Sequence, residues 1–198
     1  MLNKIVLTLL SAITLTFSLL YAYNTVEKIT VEKTNTEKVL NYYQESSHKK
    51  VVDKKSEEDY LGILHIPSIN LTRGFYKQTS SLNNVNKNIY YVKESIPLEY
   101  SSSMLILAAH RGNSKVSFFN DLDKLNLGST IYLDYKGKRY TYILSNKYDE
   151  LKDGYLNIIR KKNKDSLVLI TCNKSKKKYQ TIYVSYRKED LSLIHISE

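Results

Sequence analysis

The chain holds one cysteine, no tryptophan, two prolines and six glycines in 198 residues. A lone cysteine leaves no partner for an internal disulfide and no cysteine-based zinc spacing. Scarce proline and glycine exclude a collagen-like or Pro/Gly-rich disordered chain. There is no glycine-rich phosphate loop and no internal repeat, and nothing calls for a cofactor or a metal. Tyrosine is abundant, at 18 residues, and the hydrophobic share of 42% suffices for a core of ordinary size. The formal charge of +10 favours anionic surroundings, such as lipid head groups or wall polymers. No recognition motif for nucleic acid accompanies that charge, so no nucleic-acid partner is expected.

One uncharged run stands out. After Lys4, "IVLTLLSAITLTFSLLYA" (5–22) is apolar throughout. As a helix it spans roughly 27 Å, close to the hydrocarbon thickness of a bilayer. Leu20 sits two before Ala22, which makes a poor cleavage site, so residues 1–23 read as an uncleaved signal anchor. Lys4 on the short side predicts a single-pass protein with a cytoplasmic N-terminus and its bulk outside the cell. Residues 24–58 are polar and charge-mixed and read as a stalk, partly helical and partly disordered. At the other end, "LSLIHISE" (191–198) matches the translation of a sequencing-library adapter. It is expected to be an artefact fused to a truncated gene, which removes His195 from consideration.

Residues 59–190 carry the folded domain. "YLGILHIPSINL" reads as a strand broken at Pro67. "NIYYV" is a short β-prone run, and "SMLILAAH" is an apolar strand ending at His110. Apolar residues at 118, 119, 122, 125 and 127 suit a short amphipathic helix, ended by Gly128. "STIYLDY" and "RYTYILSNKY" alternate around "KGK" and form a hairpin, with Asp149 and Glu150 in the loop after it. "DSLVLITC" and "YQTIYVSYR" are two more strands, joined by "NKSKKK". Short strands with little room for crossover helices predict a mostly antiparallel β-barrel with one or two short helices.

Cys172 lies where an apolar strand gives way to a polar loop. An exported protein that keeps one unpaired thiol points to a reactive group, against the plainer reading of a small buried hydrophobe. Lys174, Lys176, Lys177 and Lys178 follow, and positive charge favours thiolate. A cysteine nucleophile needs a proton-transfer partner, most often histidine. His48 falls in the stalk and His65 in mid-strand, facing off the apolar side. His110 ends a strand as Cys172 does.

Three motifs in order resemble the sortase family, the membrane-anchored cysteine transpeptidases of Gram-positive bacteria. "GILHIPSINL" (62–71) is similar to the family's opening strand, G-x-L-x-I-P-x-I-x-L. "LILAAHRGN" (105–113) is similar to the strand that ends in the catalytic histidine. "LVLITC" (167–172) is similar to T-L-x-T-C, with Leu167 or its neighbour in place of the first threonine. "FFNDLDKLNLGSTIYL" resembles the usual helix and G-D-x-I strand, with Ser129 in place of aspartate. The resemblance covers about residues 60–186 and implies an eight-stranded sortase-type barrel. It also implies a reaction. Cys172 attacks the Thr–Gly carbonyl of an LPxTG-like sorting signal on a surface protein, and His110 transfers the protons. The acyl-thioester then passes to an amine of a peptidoglycan precursor or a pilin lysine.

The family carries an arginine early in the strand after the cysteine, which supports the substrate and the oxyanion. Here that position falls on Gln180, or on Tyr179 with the alignment shifted by one. Lys178 shares the facing parity of Gln180, and Arg187 lies about 23 Å further along the strand with opposite parity. Gln180, Lys178 and Arg187 all stay open for the role. Arg111 adjoins His110 but points to the other face. The missing arginine also motivates a second reading, a sortase-like module that binds surface proteins without turnover.

Overall fold

The computed structural model describes residues 2–47 and 59–188. Residues 48–58, with His48, and residues 189–198, with His195 and the suspected adapter tail, lie outside the described residues. The chain divides into two compact units, residues 1–37 and residues 38–198. Helix α1 (Leu2–Ser47) is long and apolar enough near its start to cross a membrane. Thr8, Ser11, Thr14, Thr16 and Ser18 each donate to the carbonyl three residues back, so these hydroxyls are satisfied within the apolar segment.

The second unit is an eight-stranded, nearly closed barrel. Its strands are β1 (Gly62–Ile66), β2 (Leu71–Phe75), β3 (Tyr90–Tyr91), β4 (Met104–Ala108), β5 (Thr130–Tyr135), β6 (Lys138–Leu151), β7 (Ser166–Cys172) and β8 (Tyr179–Arg187). They are hydrogen-bonded in the order β2-β1-β5-β6-β8-β7-β4-β3. A bridge between Phe75 and Ile89 brings the two edges together. The expected break at Pro67 is a 3-10 turn, Pro67–Ile69, closed by Asn70 at φ 51°. The expected hairpin joins β5 to β6 through Lys136 and Gly137, both at positive φ, the mirror-image turn that matches strand twist.

Two expectations change. The helix expected over 118–127 is only a 3-10 turn, Leu122–Lys124. Phe119, Leu122 and Leu125 are buried at a spacing of three, which a tighter turn serves as well as a helix. Asn120 and Asp121, poor helix formers, precede it. Strand β6 runs on to Leu151, so Asp149 and Glu150 lie in the sheet instead of a loop. A bulge between Leu144 and Asn146 bends it across from β5 to β8. As expected the named strands are mostly antiparallel; β4 and β7 are the one parallel pair among them, and that pair sets up the site.

Side-chain alternation sorts the core into layers. Leu105, Leu107, Leu167, Leu169 and Tyr183 face the barrel interior with Phe75, Phe119 and Leu133. Ile106, Val168, Ile170, Ile182 and Val184 face outward and are buried there. The segment after β6 covers them. The Tyr148 hydroxyl donates to the Asn157 carbonyl at 3.0 Å and accepts from the Ile159 amide at 2.8 Å. The Lys161 amide donates to the Tyr186 hydroxyl at 2.7 Å. Tyr42, from the last turns of α1, packs with Tyr60, Ile63 and Tyr76 over the outer face of β1.

Asp134 anchors the same region. Its carboxylate is buried and accepts two hydrogen bonds from the Arg139 fork, both at 2.7 Å, and one from the Tyr43 hydroxyl. Burial pushes the Asp134 carboxyl up, but Arg139 and Tyr43 outweigh it and hold it below the usual aspartate value. The pair's stabilisation is therefore complete above the ordinary aspartate range and is lost as pH falls through the depressed value. Arg139→Ala leaves a buried carboxylate unpaired. Because Arg139 is half-exposed, the expected loss is about 1–3 kcal/mol at pH 7, less than for a fully buried pair. The deficit should shrink below about pH 4 as Asp134 takes up a proton. Urea denaturation of both proteins at pH 7 and pH 3.5 measures it.

Candidate functional site

The parallel pair runs at a constant offset of 62, from Met104↔Ser166 to Ala108↔Ile170. Backbone pairing continues past the strand end. The Ala109 amide donates to the Ile170 carbonyl at 3.2 Å, and the Thr171 hydroxyl donates to the Ala109 carbonyl at 2.9 Å. Continued two residues further, the same offset aligns His110 with Cys172 at one end of the sheet. Cys172, on β7, shares the parity of Val168 and Ile170 and so belongs to the outward face; His110 has the parity of Ile106 but follows the end of β4.

Each residue is held by its own neighbourhood. The Phe119 amide donates to the His110 carbonyl at 3.1 Å, and Phe119 is fully buried. Two residues on, Gly112 sits at φ 140°, open to glycine alone, and its amide donates to the Asn120 side chain at 2.7 Å. The His110 ring, half-buried, places Nε2 2.9 Å from Asn86 Oδ1. Asn86 rides on the β2–β3 connection, which is stitched to the barrel. Asn83 accepts from the Tyr91 amide at 2.7 Å and donates to the Tyr91 carbonyl at 3.0 Å. Asn88 donates to the Leu82 carbonyl at 3.1 Å.

Cys172 is a free, half-buried thiol at the last position of β7. Just after it, Asn173 Oδ1 accepts from the amides of Ser175 and Lys176, which turns the chain toward β8. Asn173 Nδ2 donates to Asp149 and Thr181 at 2.7 and 3.0 Å. Asn173 and Tyr179 form a hydrogen-bonded pair, so Cys172 and Gln180 are a narrow pair, with Cα atoms about 4.5 Å apart. Gln180 thus lies directly across from the thiol, with Glu150 beyond it on β6.

The basic residues part company. Lys174 pairs with Asp123 at 3.3 Å and Lys176 with Asp149 at 3.2 Å. Arg111 is taken up by Asp123 at 2.8 Å on the inner side, and its guanidinium holds the Asp123 carboxyl below the usual range. Arg187 stands at the far end of β8, 3.2 Å from Asp165 and stacked over Tyr140, away from Cys172. Lys178 shares a backbone bond with Lys152, whose amide donates to its carbonyl at 2.9 Å. The cation that reaches the sulfur is Lys152, whose Nζ donates to Cys172 Sγ at 3.1 Å. His65 is remote, on β1, within 2.6 Å of the Thr72 hydroxyl and stacked on Tyr132.

Sequence reasoning missed Lys152 and Asn86. Extending β6 by its alternation to Glu150 and Lys152 would have found the first. The second depends on how a long loop folds back, which spacing does not carry.

On the outward face, a groove of about 580 Å³ opens beside the covering segment. Met104, Ile106, Tyr155, Leu156 and Ile158 line it, with Glu94, Arg160 and Lys162 at its margins. It begins about 13 Å from the thiol, four residues along the strands. Among the described residues no group of acidic, histidine or cysteine side chains is placed to hold a metal.

The Sortase domain model matches residues 64–189. No curated protein sequence matches the chain. Among solved structures, a Clostridium perfringens sortase D5 transpeptidase is similar at a TM-score of 0.61 and 19% identity, over 81% of this chain and 99% of that one. Sortase C1 from Streptococcus suis is similar at 0.58 and 22%, over 69% and 76%. A Clostridium perfringens sortase C, solved with the C-terminal cell wall sorting motif, is similar at 0.57 and 22%, over 78% and 88%.

Proposed function

This chain belongs to the sortase family, and on that premise we propose that it is a cysteine transpeptidase with Cys172 as nucleophile and His110 as its proton-transfer partner. The observation that supports the reading is the parallel register of β4 and β7, whose offset, carried two residues past the paired strands, aligns a free thiol with an imidazole.

The proposed reaction has two halves. The Cys172 sulfur attacks the Thr–Gly carbonyl of an LPxTG-like sorting signal. As the C–S bond forms and the C–N bond breaks, His110 gives a proton to the leaving amine. An incoming amine then attacks the thioester, the thiolate departs, and His110 takes the proton. Splitting the exchange in this way avoids one difficult amide-to-amide step. The groove supports the reading, because four residues of extended peptide span about the 13 Å between its apolar lining and the thiol. A surface protein is the acyl donor. A peptidoglycan precursor or a pilin lysine is the acceptor. Helix α1 is proposed to anchor the chain in the cell membrane once, N-terminus inside and barrel outside.

The test uses the full chain in neutral detergent, a panel of sorting-signal peptides and an amine acceptor. Cleavage joined to amine transfer is expected for at least one peptide. Tight peptide binding with no turnover by the wild type would instead favour the non-catalytic binding module.

Asn86→Ala removes the partner of His110 Nε2. It should lower kcat about ten-fold through lost ring orientation, with KM little changed. Asn86 is exposed, so stability should move by less than about 0.5 kcal/mol. Steady-state cleavage and a thermal melt check the two halves.

A further inference from the structure

Where the family motif has an arginine on β8, this chain has Gln180, which carries no charge. The charge at the sulfur comes from another element. Lys152 follows β6, and its ammonium meets Cys172 Sγ at 3.1 Å. Two further contacts restrain it. Its amide is bonded to the Lys178 carbonyl at 2.9 Å, and its ammonium also donates to the Lys177 carbonyl at 3.4 Å. Facing carboxylates do not claim it. Among the described residues neither Glu150, two positions earlier on the same face, nor Asp153 forms an ion pair with it. Asp153 accepts from the Tyr155 amide. The nearby Lys174 and Lys176 are bound to Asp123 and Asp149.

We propose that Lys152 is the catalytic cation of this site, holding the sulfur anion and then the carbonyl oxygen that becomes negative as the sulfur attacks. An ammonium 3.1 Å from the sulfur stands within a few ångströms of the carbonyl group that the sulfur attacks. Its flexible stem lets it follow the charge from sulfur to oxygen without the planar fork of an arginine. Gln180, opposite the thiol, adds a neutral donor. The role of the oxygen-stabilising cation rests on Cys172 being the nucleophile, whereas the charge at the sulfur can be read without any substrate.

The experiment uses the full chain in neutral detergent and compares alkylation of Cys172 by anionic iodoacetate and neutral iodoacetamide. A cation at the sulfur favours the anionic reagent. Lys152→Gln should lower the iodoacetate-to-iodoacetamide rate ratio about five-fold, and Lys152→Arg should keep it within two-fold of the wild type. Lys177→Gln and Lys178→Gln should change it by less than about two-fold. With a peptide that the wild type cleaves, Lys152→Gln should lower kcat about 30-fold at nearly unchanged KM, and Lys152→Arg should restore most of it. An unchanged ratio in Lys152→Gln, or equal falls in all three glutamine variants, would overturn the assignment in favour of a diffuse basic rim. A lowered ratio with unchanged kcat would overturn the oxyanion half. If no peptide is cleaved by the wild type, the transpeptidase reading fails, while the ratio still decides the contact.

Discussion

Cys172→Ala is expected to lower cleavage and amine transfer by at least about 10³-fold, and His110→Ala by roughly 10²–10⁴-fold. The two losses should not multiply in the double variant, because the residues serve one step. Cys172→Ala removes the atom that carries the acyl group, so no thioester forms. His110→Ala leaves the thiol but strips the leaving amine of its proton donor. Supplying a leaving group that needs no proton should rescue His110→Ala and leave Cys172→Ala inactive. Neither change removes a core contact: Cys172 is half-buried and His110 is at a strand end. Stability within about 1 kcal/mol of the wild type is therefore expected, which separates lost chemistry from lost fold. Initial rates with a thioester and an amide substrate, alongside thermal melts, measure all of this. Full activity in either variant would remove that residue from the reaction.

Phe119→Ala is expected to be the most damaging of the stability changes, costing about 3–5 kcal/mol. Its ring is fully buried in the interior layer, and an alanine leaves a cavity that a closed barrel cannot easily collapse. Phe119 also holds the candidate site, since its amide donates to the His110 carbonyl. The backbone bond does not depend on the side chain, but the packing that fixes the amide does. Phe119→Leu, which keeps most of the volume, should cost less than about 2 kcal/mol and retain activity. Urea denaturation gives the stability. Activity measured well below the unfolding transition shows whether His110 has also shifted. If Phe119→Ala unfolds at the wild-type midpoint, the segment after β4 does not fill the barrel as described.

Much of the barrel was legible in the sequence, because alternation and turn chemistry are local. The β5–β6 hairpin needed only two alternating runs around Lys136 and Gly137. The break at Pro67 follows from a missing amide. Helix period and strand length are not local in this way. The apolar spacing of Phe119, Leu122 and Leu125 fits a helix and a 3-10 turn alike, and only the space available at the barrel's end decides between them. Asp149 and Glu150 are poor strand formers, which predicts an earlier end to β6 than the structure has. Pairing with Thr181 and Gln180 on β8 overrides that preference.

The candidate site was legible in part for a related reason. Cys172 and His110 each end an apolar run, which sequence shows. That the two runs are neighbours, parallel and in register is tertiary, and the motif resemblance supplied what spacing lacked. By sequence alone, the lysines next to Cys172 are the natural source of charge. Instead, Lys174 and Lys176 turn away to carboxylates, and a lysine twenty residues earlier reaches the sulfur. Proximity in the chain is a poor guide at the end of a sheet, where the neighbouring strand is nearer than the next loop residue.

The most direct measurement is intact-mass analysis of the full chain, quenched in acid during turnover of a cleaved sorting-signal peptide. An adduct of the acyl fragment on Cys172, discharged by added amine and absent from Cys172→Ala, is the predicted result. Product formed at the wild-type rate by Cys172→Ala, or an adduct on any other residue, would contradict it.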